Sequence, residues 1–274
     1  MPLPLTKMIK ESASSQGDIS NLCNYSLQLN RWYLTPIGAW PSSSSTPKHE
    51  RIISTILIVL CYCLIAFTVV PSFLNIVLED EDIRKKLKIL GPLGHWFVGG
   101  INYTTLLLRR KEIHRCVEHM KMDWRMITRG KDQRAMLKFA KFGRYVAAFC
   151  AAFMQVGVLS YCAVTAFSTE IVYVGNQTRT VHLMPCAVYK RLLNVDTSPM
   201  NEMVLASQFL SGFIVNSSAV GAFSLAAVFG AHACGQLDVL MTWITEFVNE
   251  SGQKDKVYLN KIGTIVEHHL RVFR

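Results

Sequence analysis

Residues 52–78 read IISTILIVLCYCLIAFTVVPSFLNIVL, 27 residues without one Asp, Glu, Lys or Arg. An α-helix rises about 1.5 Å per residue, so roughly 20 residues cross a hydrocarbon core of about 30 Å. Three further uncharged stretches follow, at 89–108 (20 residues), 145–169 (25) and 203–231 (29). One such run could be a buried helix of a large soluble protein. Four runs in 274 residues leave too little polar chain to wrap them. The expected fold is all-α: a polytopic membrane helix bundle with four transmembrane helices and cytosolic helical extensions. The second run is the shortest and carries Gly91, Pro92, Gly94, His95, Gly99, Gly100 and Asn102. It is still counted as spanning, because neighbouring helices in a bilayer re-satisfy the backbone around Gly and Pro.

Composition agrees. Half the residues are hydrophobic and 18% are charged, against about a quarter in a soluble domain, and mean hydropathy is +0.24. The first 51 residues are polar and Ser-rich, without the short apolar core of a secretory signal. The first helix is therefore expected to serve as its own insertion signal. A net charge of +10 invites a nucleic-acid reading, but its placement is topological. Lys and Arg number 5 in residues 1–51, 12 in 109–144 and 5 in 232–274, against 4 in 79–88 and 3 in 170–202. The positive-inside rule puts the richer set in the cytosol. Segment 1–51 is then a cytosolic N-terminal segment, 52–231 the transmembrane region, and 232–274 a cytosolic pair of amphipathic helices. Loops 79–88 and 170–202 face outward, the first carrying the acidic cluster Glu79, Asp80, Glu81 and Asp82. Asn176-Gln177-Thr178 in the second is a glycosylation triplet usable only outside the cytosol. Triplets at Asn102 and Asn216 fall inside helices, and those at Asn24 and Asn249 fall on the cytosolic side.

Residues 1–20 are expected to be disordered, and Ser42 to Ser45 to form a loop before the first span. Between them, Leu27, Leu29, Trp32, Tyr33 and Leu34 suit the membrane face or the bundle. Pro71 is expected to kink the outer end of the first helix. In 109–144, Ile113, Cys116, Val117 and Met120 fall at helical spacing, and Met136, Phe139 and Ala140 resume it until Gly143 fails to continue. The segment reads as cytosolic extensions of the second and third helices, and a basic helix beside a membrane attracts anionic headgroups. After the fourth span, Leu237, Leu240, Met241, Ile244, Phe247 and Val248 make one apolar stripe. Ser251-Gly252 breaks it, and Tyr258, Ile262, Ile265, Val266 and Phe273 make a looser second. Both need a partner for their apolar faces. The pattern stops at Arg274 without a capping signal, which reads as an incomplete polypeptide or a truncated splice form.

Small residues crowd the third helix (Ala147, Ala148, Ala151, Ala152) and the fourth (Ser217, Ser218, Gly221, Ala222, Ala226), and they favour close helix packing in lipid. No catalytic motif is present, so no enzyme activity and no cofactor is expected. Eight cysteines give no disulfide framework; only Cys162 is near enough to pair with Cys186. Cys61-x-Cys63 and His232-x-Cys234 point to different helix faces and do not make a metal site. No Asp, Glu, Lys or Arg lies within the four runs, against an ion-coupled transporter, with His95 near the outer end of the second helix a mild exception that reads as a buried, hydrogen-bonded side chain. What the outer halves of helices two to four offer is aromatic and weakly polar: Trp96, Val158, Tyr161, Gln208, Phe209 and Ser211, with Phe167 and Phe213 nearby. Such a lining suits a small, mostly apolar ligand.

Several stretches resemble the insect odorant receptors, particularly those of ants, bees and wasps. They are Leu29-Asn30-Arg31-Trp32 leading to Ile37-Gly38-Ala39-Trp40-Pro41; Met122-Asp123-Trp124 with Met136, Lys138, Ala140, Gly143 and Arg144; His232-Ala233-Cys234-Gly235-Gln236-Leu237; and Ile265-Val266-Glu267-His268-His269-Leu270-Arg271. The resemblance implies a multi-pass subunit of the plasma membrane with a cytosolic N-terminus. It implies binding of a small volatile odorant, and hetero-oligomers with a common co-receptor that form a ligand-gated cation channel in olfaction. In that family the odorant sits among helices two, three, four and six, the seventh lines the pore, and subunits meet through the cytosolic ends of later helices. Helices five to seven of that pattern are not in this sequence. A gustatory receptor of the same superfamily is a close variant, and a four-helix membrane adaptor or scaffold without a ligand is the alternative from another class. The lipid bilayer is the expected surrounding partner, and nucleic acid is not expected.

Overall fold

The computed structural model describes residues 23–41, 47–79, 82–127, 129–174, 177–249 and 255–272. Residues 23–34 are helical (α1). Five long helices follow: α2 (Lys48–Leu78), α3 (Ile83–Leu108), α4 (Arg110–Met126), α5 (Gly130–Phe167) and α6 (Met200–Asn249), then α7 (Asp255–Val272). Three expected spans, 52–78, 89–108 and 203–231, lie inside helices that overrun them, while the third, 145–169, starts within α5 but runs past its end at Phe167, where Thr169 opens a strand. Helical extensions are expected on the second, third and fourth spans: those of the third and fourth are continuous with them in α5 and α6, whereas that of the second is a separate helix, α4, after Leu108. The most extended case is α6, which runs unbroken through the fourth expected span and the first amphipathic stripe. The expected disorder of 1–20, the Ser42 to Ser45 loop, Asp80 and Glu81, Asn176 and the Ser251-Gly252 break lie outside the described residues.

Among the described residues, three helices are long and apolar enough to cross a membrane: α2, α5 and α6. The expected second span forms part of α3 but is not among them. Its glycines, Pro92, His95 and Asn102 dilute the apolar content. A hairpin that the sequence reading did not foresee joins α5 to α6. Strands β1 (Thr169–Val174) and β2 (Gln177–His182) pair antiparallel, Thr169 opposite His182 and Val174 opposite Gln177. Their β-branched and aromatic content suits a pleated ribbon.

The chain divides into two compact units. The larger comprises residues 30–114 and 149–223. Its centre is the first half of α6, where Ile214, Val215, Asn216, Ser217, Ser218, Val220 and Gly221 are all buried. Buried polar groups there bond to one another: Asn216 donates to Gln155 Oε1, Gln155 to Ser217 (3.2 Å), and Asn102 to Ser218 (3.3 Å). α3 approaches α6 closely at Gly99, where an added Cβ would lie 2.5 Å from Val215 Cβ. The end of α1 and the segment after it fold into this unit, with Leu34, Ile37 and Ala39 buried. Tyr103 donates to the Ile37 carbonyl (2.7 Å), Ser54 to that of Gly38 (3.0 Å) and Arg110 to that of Trp40 (2.8 Å). Gly38 turns the chain at φ +68°, in the left-handed region glycine favours, with Ser54 too close to admit a side chain. Trp32, grouped with the apolar residues in sequence, is 64% exposed.

The smaller unit comprises residues 1–29, 115–148 and 224–274. Val117, Met120, Trp124, Met136, Ala140, Val228, Val239 and Leu240 are buried in it. Gly143 corrects the sequence reading. It does continue the buried face of α5, because an added Cβ would meet Ala231 Cβ at 2.7 Å and the Ala227 carbonyl at 3.2 Å. Polar ties close the unit: His232 Nε2 to Asp123 (3.0 Å), the Trp243 indole to Asp132 (2.9 Å) and Arg129 to Glu246 (3.0 Å). Of the first stripe Leu240 is buried, while Leu237, Met241, Ile244 and Val248 are exposed, as are Ile262, Val266 and Leu270 on α7. Both amphipathic helices keep an uncovered apolar stripe.

Candidate functional site

Within the larger unit, α2 and α3 enclose a groove of about 430 Å³. α2 lines it with Tyr62, Ile65, Ala66, Val69 and Val70, at i, i+3, i+4, i+7 and i+8. α3 contributes Trp96, Phe97, Gly100, Ile101, Thr104 and Thr105, pairs of neighbours repeating every four residues. Each set is one helix face. The lining is almost wholly apolar, and its polar groups stand mainly toward one end. There the Tyr62 hydroxyl lies 2.9 Å from Thr104 Oγ1. Thr104 gives its own proton to the Gly100 carbonyl (2.9 Å), so Tyr62 is the donor between them. Gly100 keeps the groove open: an added Cβ would rest against Ile65 Cγ2 at 3.5 Å, an ordinary contact, while a longer side chain would fill the space.

Trp96 is 1% exposed, and its indole N–H is bound to Ser211 Oγ at 2.8 Å. Ser211 also contacts Thr68 Oγ1 (2.7 Å) and donates to the Gln208 carbonyl (3.0 Å). Gly212 lets the indole lie against α6, since a Cβ there would stand 3.1 Å from Trp96 Cζ2. The ring is thereby fixed by its polar edge, leaving an apolar surface toward the groove.

The six residues expected to line a ligand site divide by role. Trp96 and Ser211 meet directly, and Gln208 joins them through its backbone. Both ends of the Gln208 amide are engaged: its oxygen receives the Cys186 N–H at 3.0 Å and its nitrogen donates to the Cys186 carbonyl at 2.9 Å. Tyr161 donates to the Pro185 carbonyl at 3.0 Å. Gln208 and Tyr161 therefore hold the segment after the β-hairpin against the helices. Val158 and Phe209 are half-buried, and neither lines the groove. Of the six, only Trp96 lines it. Ten lining residues escaped the sequence reading. The Gly99-Gly100 pair followed by Thr104-Thr105 is the signal on α3 that could have located them.

The same clasp buries Cys186 beside Ser72, and burial pushes its thiol pKa up to about 12. All eight cysteines are thiols. Cys61 is buried and Cys63 exposed, on different faces of α2. Among the described residues, no three His, Cys, Asp or Glu side chains are grouped to hold a metal ion. The chain matches no protein-family model, and no curated protein matches it in sequence.

Proposed function

We propose that the chain is a subunit of an odorant receptor of the insect type, multi-pass in the plasma membrane with its N-terminus cytosolic. Four helices cross the bilayer in this reading, α3 joining α2, α5 and α6. Their exposed apolar faces suit lipid contact. The observation that carries the reading is the α2–α3 groove, an apolar slot with a fixed indole on its wall and a hydroxyl pair toward one end; it lies between the first and second spans, so of the helices among which the resemblance places the odorant it uses only the second. A cavity of about 430 Å³ falls within the usual range for small-molecule sites. Its chemistry selects a small, mostly hydrocarbon molecule with one hydrogen-bonding group. Such a molecule partitions into lipid and reaches a groove flanked by exposed Val70, Phe97 and Ile101 from within the bilayer. The uncovered stripes of α6 and α7 supply apolar faces for contact with a co-receptor, and the assembly conducts cations.

The deciding experiment is an odour panel scored as evoked cation current. Cells would express the co-receptor with this chain and whatever follows Arg274 in its transcript. Evoked current that Gly100→Leu abolishes, at unchanged surface expression, supports the reading. Silence across the panel, or current indifferent to that substitution, overturns it. The scaffold alternative draws on one observation: Tyr161, Gln208 and Ser211 all have partners inside the protein. Silence with intact co-receptor assembly would favour it.

A further inference from the structure

The outward face of α5 in its N-terminal half is a line of cations. Lys131, Arg134, Lys138 and Lys141 are all exposed and recur at i, i+3, i+7 and i+10. Asp132, Met136, Ala140, Gly143 and Ala147 form the opposite, buried face. The line meets little opposing charge. The one carboxylate on α5, Asp132, is 3% exposed and takes the Trp243 indole N–H. Lys131 is shared with Glu246 at 3.6 Å, whereas Arg134, Lys138 and Lys141 form no salt bridge among the described residues. One turn on, the same face becomes aromatic, with Phe142 63% and Tyr145 74% exposed.

Geometry sets the depth of these residues. From Tyr145 to Phe167 there are 23 residues, about 34 Å of helix, enough to cross a hydrocarbon core of about 30 Å. Phe142 and Tyr145 then stand at the interface, where aromatic belts lie. The cations follow within the headgroup layer on the same side. Arg134 to Lys141 covers about 10 Å along the axis, within reach of one headgroup for long, flexible side chains.

We infer that Arg134, Lys138 and Lys141, with Phe142 and Tyr145, form a docking site for an anionic phospholipid of the cytosolic leaflet. The phosphate and any headgroup carboxylate lie against the three cations, and the upper acyl segments lie against the two rings. The inference requires α5 to cross a bilayer and is independent of the ligand in the groove. A cation near a charged leaflet strengthens binding about fivefold, and salt weakens it.

The test is lipid retention by the full chain, purified in detergent and incubated with phosphatidylserine or phosphatidylcholine before native mass spectrometry. The wild type is expected to retain phosphatidylserine preferentially. Replacing all three cations (Arg134→Gln, Lys138→Gln, Lys141→Gln) should remove that preference. A triple with the same charge change on α4 (Lys111→Gln, Arg115→Gln, Arg125→Gln) should keep it, and gel filtration checks that both variants remain folded. Equal loss in both triples, or a preference surviving in the α5 triple, overturns the inference. Displacement of phosphatidylserine by millimolar inorganic phosphate would assign the cations to a soluble anion and overturn it equally.

Discussion

α2 and α6 are both apolar enough to cross a membrane, yet they sit in opposite surroundings. α2 is the more apolar, and only 17% of its apolar window is buried within the protein, against 61% for α6. The buried helix is the one carrying Gln208, Ser211, Asn216, Ser217 and Ser218, none more than 1% exposed. α2 instead turns Ile52, Ile56, Val59, Leu60, Phe67 and Val77 outward. In water the order would be reversed, because a helix hides its apolar face and exposes its polar one. An outer surface more apolar than the interior is stable where the solvent is itself apolar. Polar side chains then belong inside, where each finds a partner instead of facing hydrocarbon.

The largest expected effect tests that contrast directly. Phe67, near the middle of α2, is 40% exposed. On a surface in water, Phe67→Lys would alter stability by no more than about 0.5 kcal/mol. At the centre of a membrane helix a lysine costs about 2.5–3.5 kcal/mol. Insertion of α2, scored by a glycosylation reporter placed after it, should drop sharply for Phe67→Lys and hardly at all for Phe67→Leu. Undiminished insertion of the lysine variant would mean that this face of α2 does not meet lipid.

A smaller effect separates two adjacent glycines of α3. Gly99 faces Val215, where a Cβ would lie 2.5 Å away, while Gly100 faces the groove with its nearest atom at 3.5 Å. Gly99→Ala should cost about 1–3 kcal/mol through overpacking, read as a lower midpoint in thermal aggregation of the detergent-solubilised chain. Gly100→Ala should be neutral or stabilising, since alanine is the better helix former. Val215→Ala should restore part of the loss in Gly99→Ala. Equal behaviour of the two glycines would remove the close contact that places α3 against α6.

These contrasts show why part of the structure was legible in sequence and part was not. An uncharged run of 27 residues announces a long apolar helix without reference to anything else in the chain. Which face of α2 turns inward is a different matter. Thr68, Ser72 and Asn75, spaced i, i+4 and i+7 and all buried, mark part of that face, but the groove residues Ile65, Ala66 and Val69 are apolar like their exposed neighbours and could not be told from them. The polar links are hidden for another reason: Gln155 and Asn216 lie 61 positions apart, and nothing local marks them as partners. Gly143 looked like a break in the apolar pattern because hydropathy counts side chains. A buried helix crossing needs the absence of one. The hairpin had a local signal in Ile171, Val172, Tyr173, Thr178, Thr180 and Val181, which went unread beside a dominant helical pattern.

The smallest effect is also the most specific to the groove. Tyr62→Phe removes one oxygen atom, and with it the hydrogen bond to Thr104 at 2.9 Å. Side-chain hydrogen bonds in membrane proteins contribute about 0.6 kcal/mol on average, so stability should scarcely change. Thr104 keeps its bond to the Gly100 carbonyl and is left with no unsatisfied donor. What should change is the discrimination between ligands of equal size. An alcohol loses the phenol oxygen that can accept its proton, while a hydrocarbon loses nothing and gains a drier slot. Affinity for the oxygenated member of a matched pair should fall about five- to tenfold, the equivalent of one net hydrogen bond of about 1–1.5 kcal/mol. Affinity for the hydrocarbon should hold or rise. If both fall together, Tyr62 shapes the groove without reading its contents; if neither moves, the ligand does not reach the end of the groove where α2 and α3 are joined.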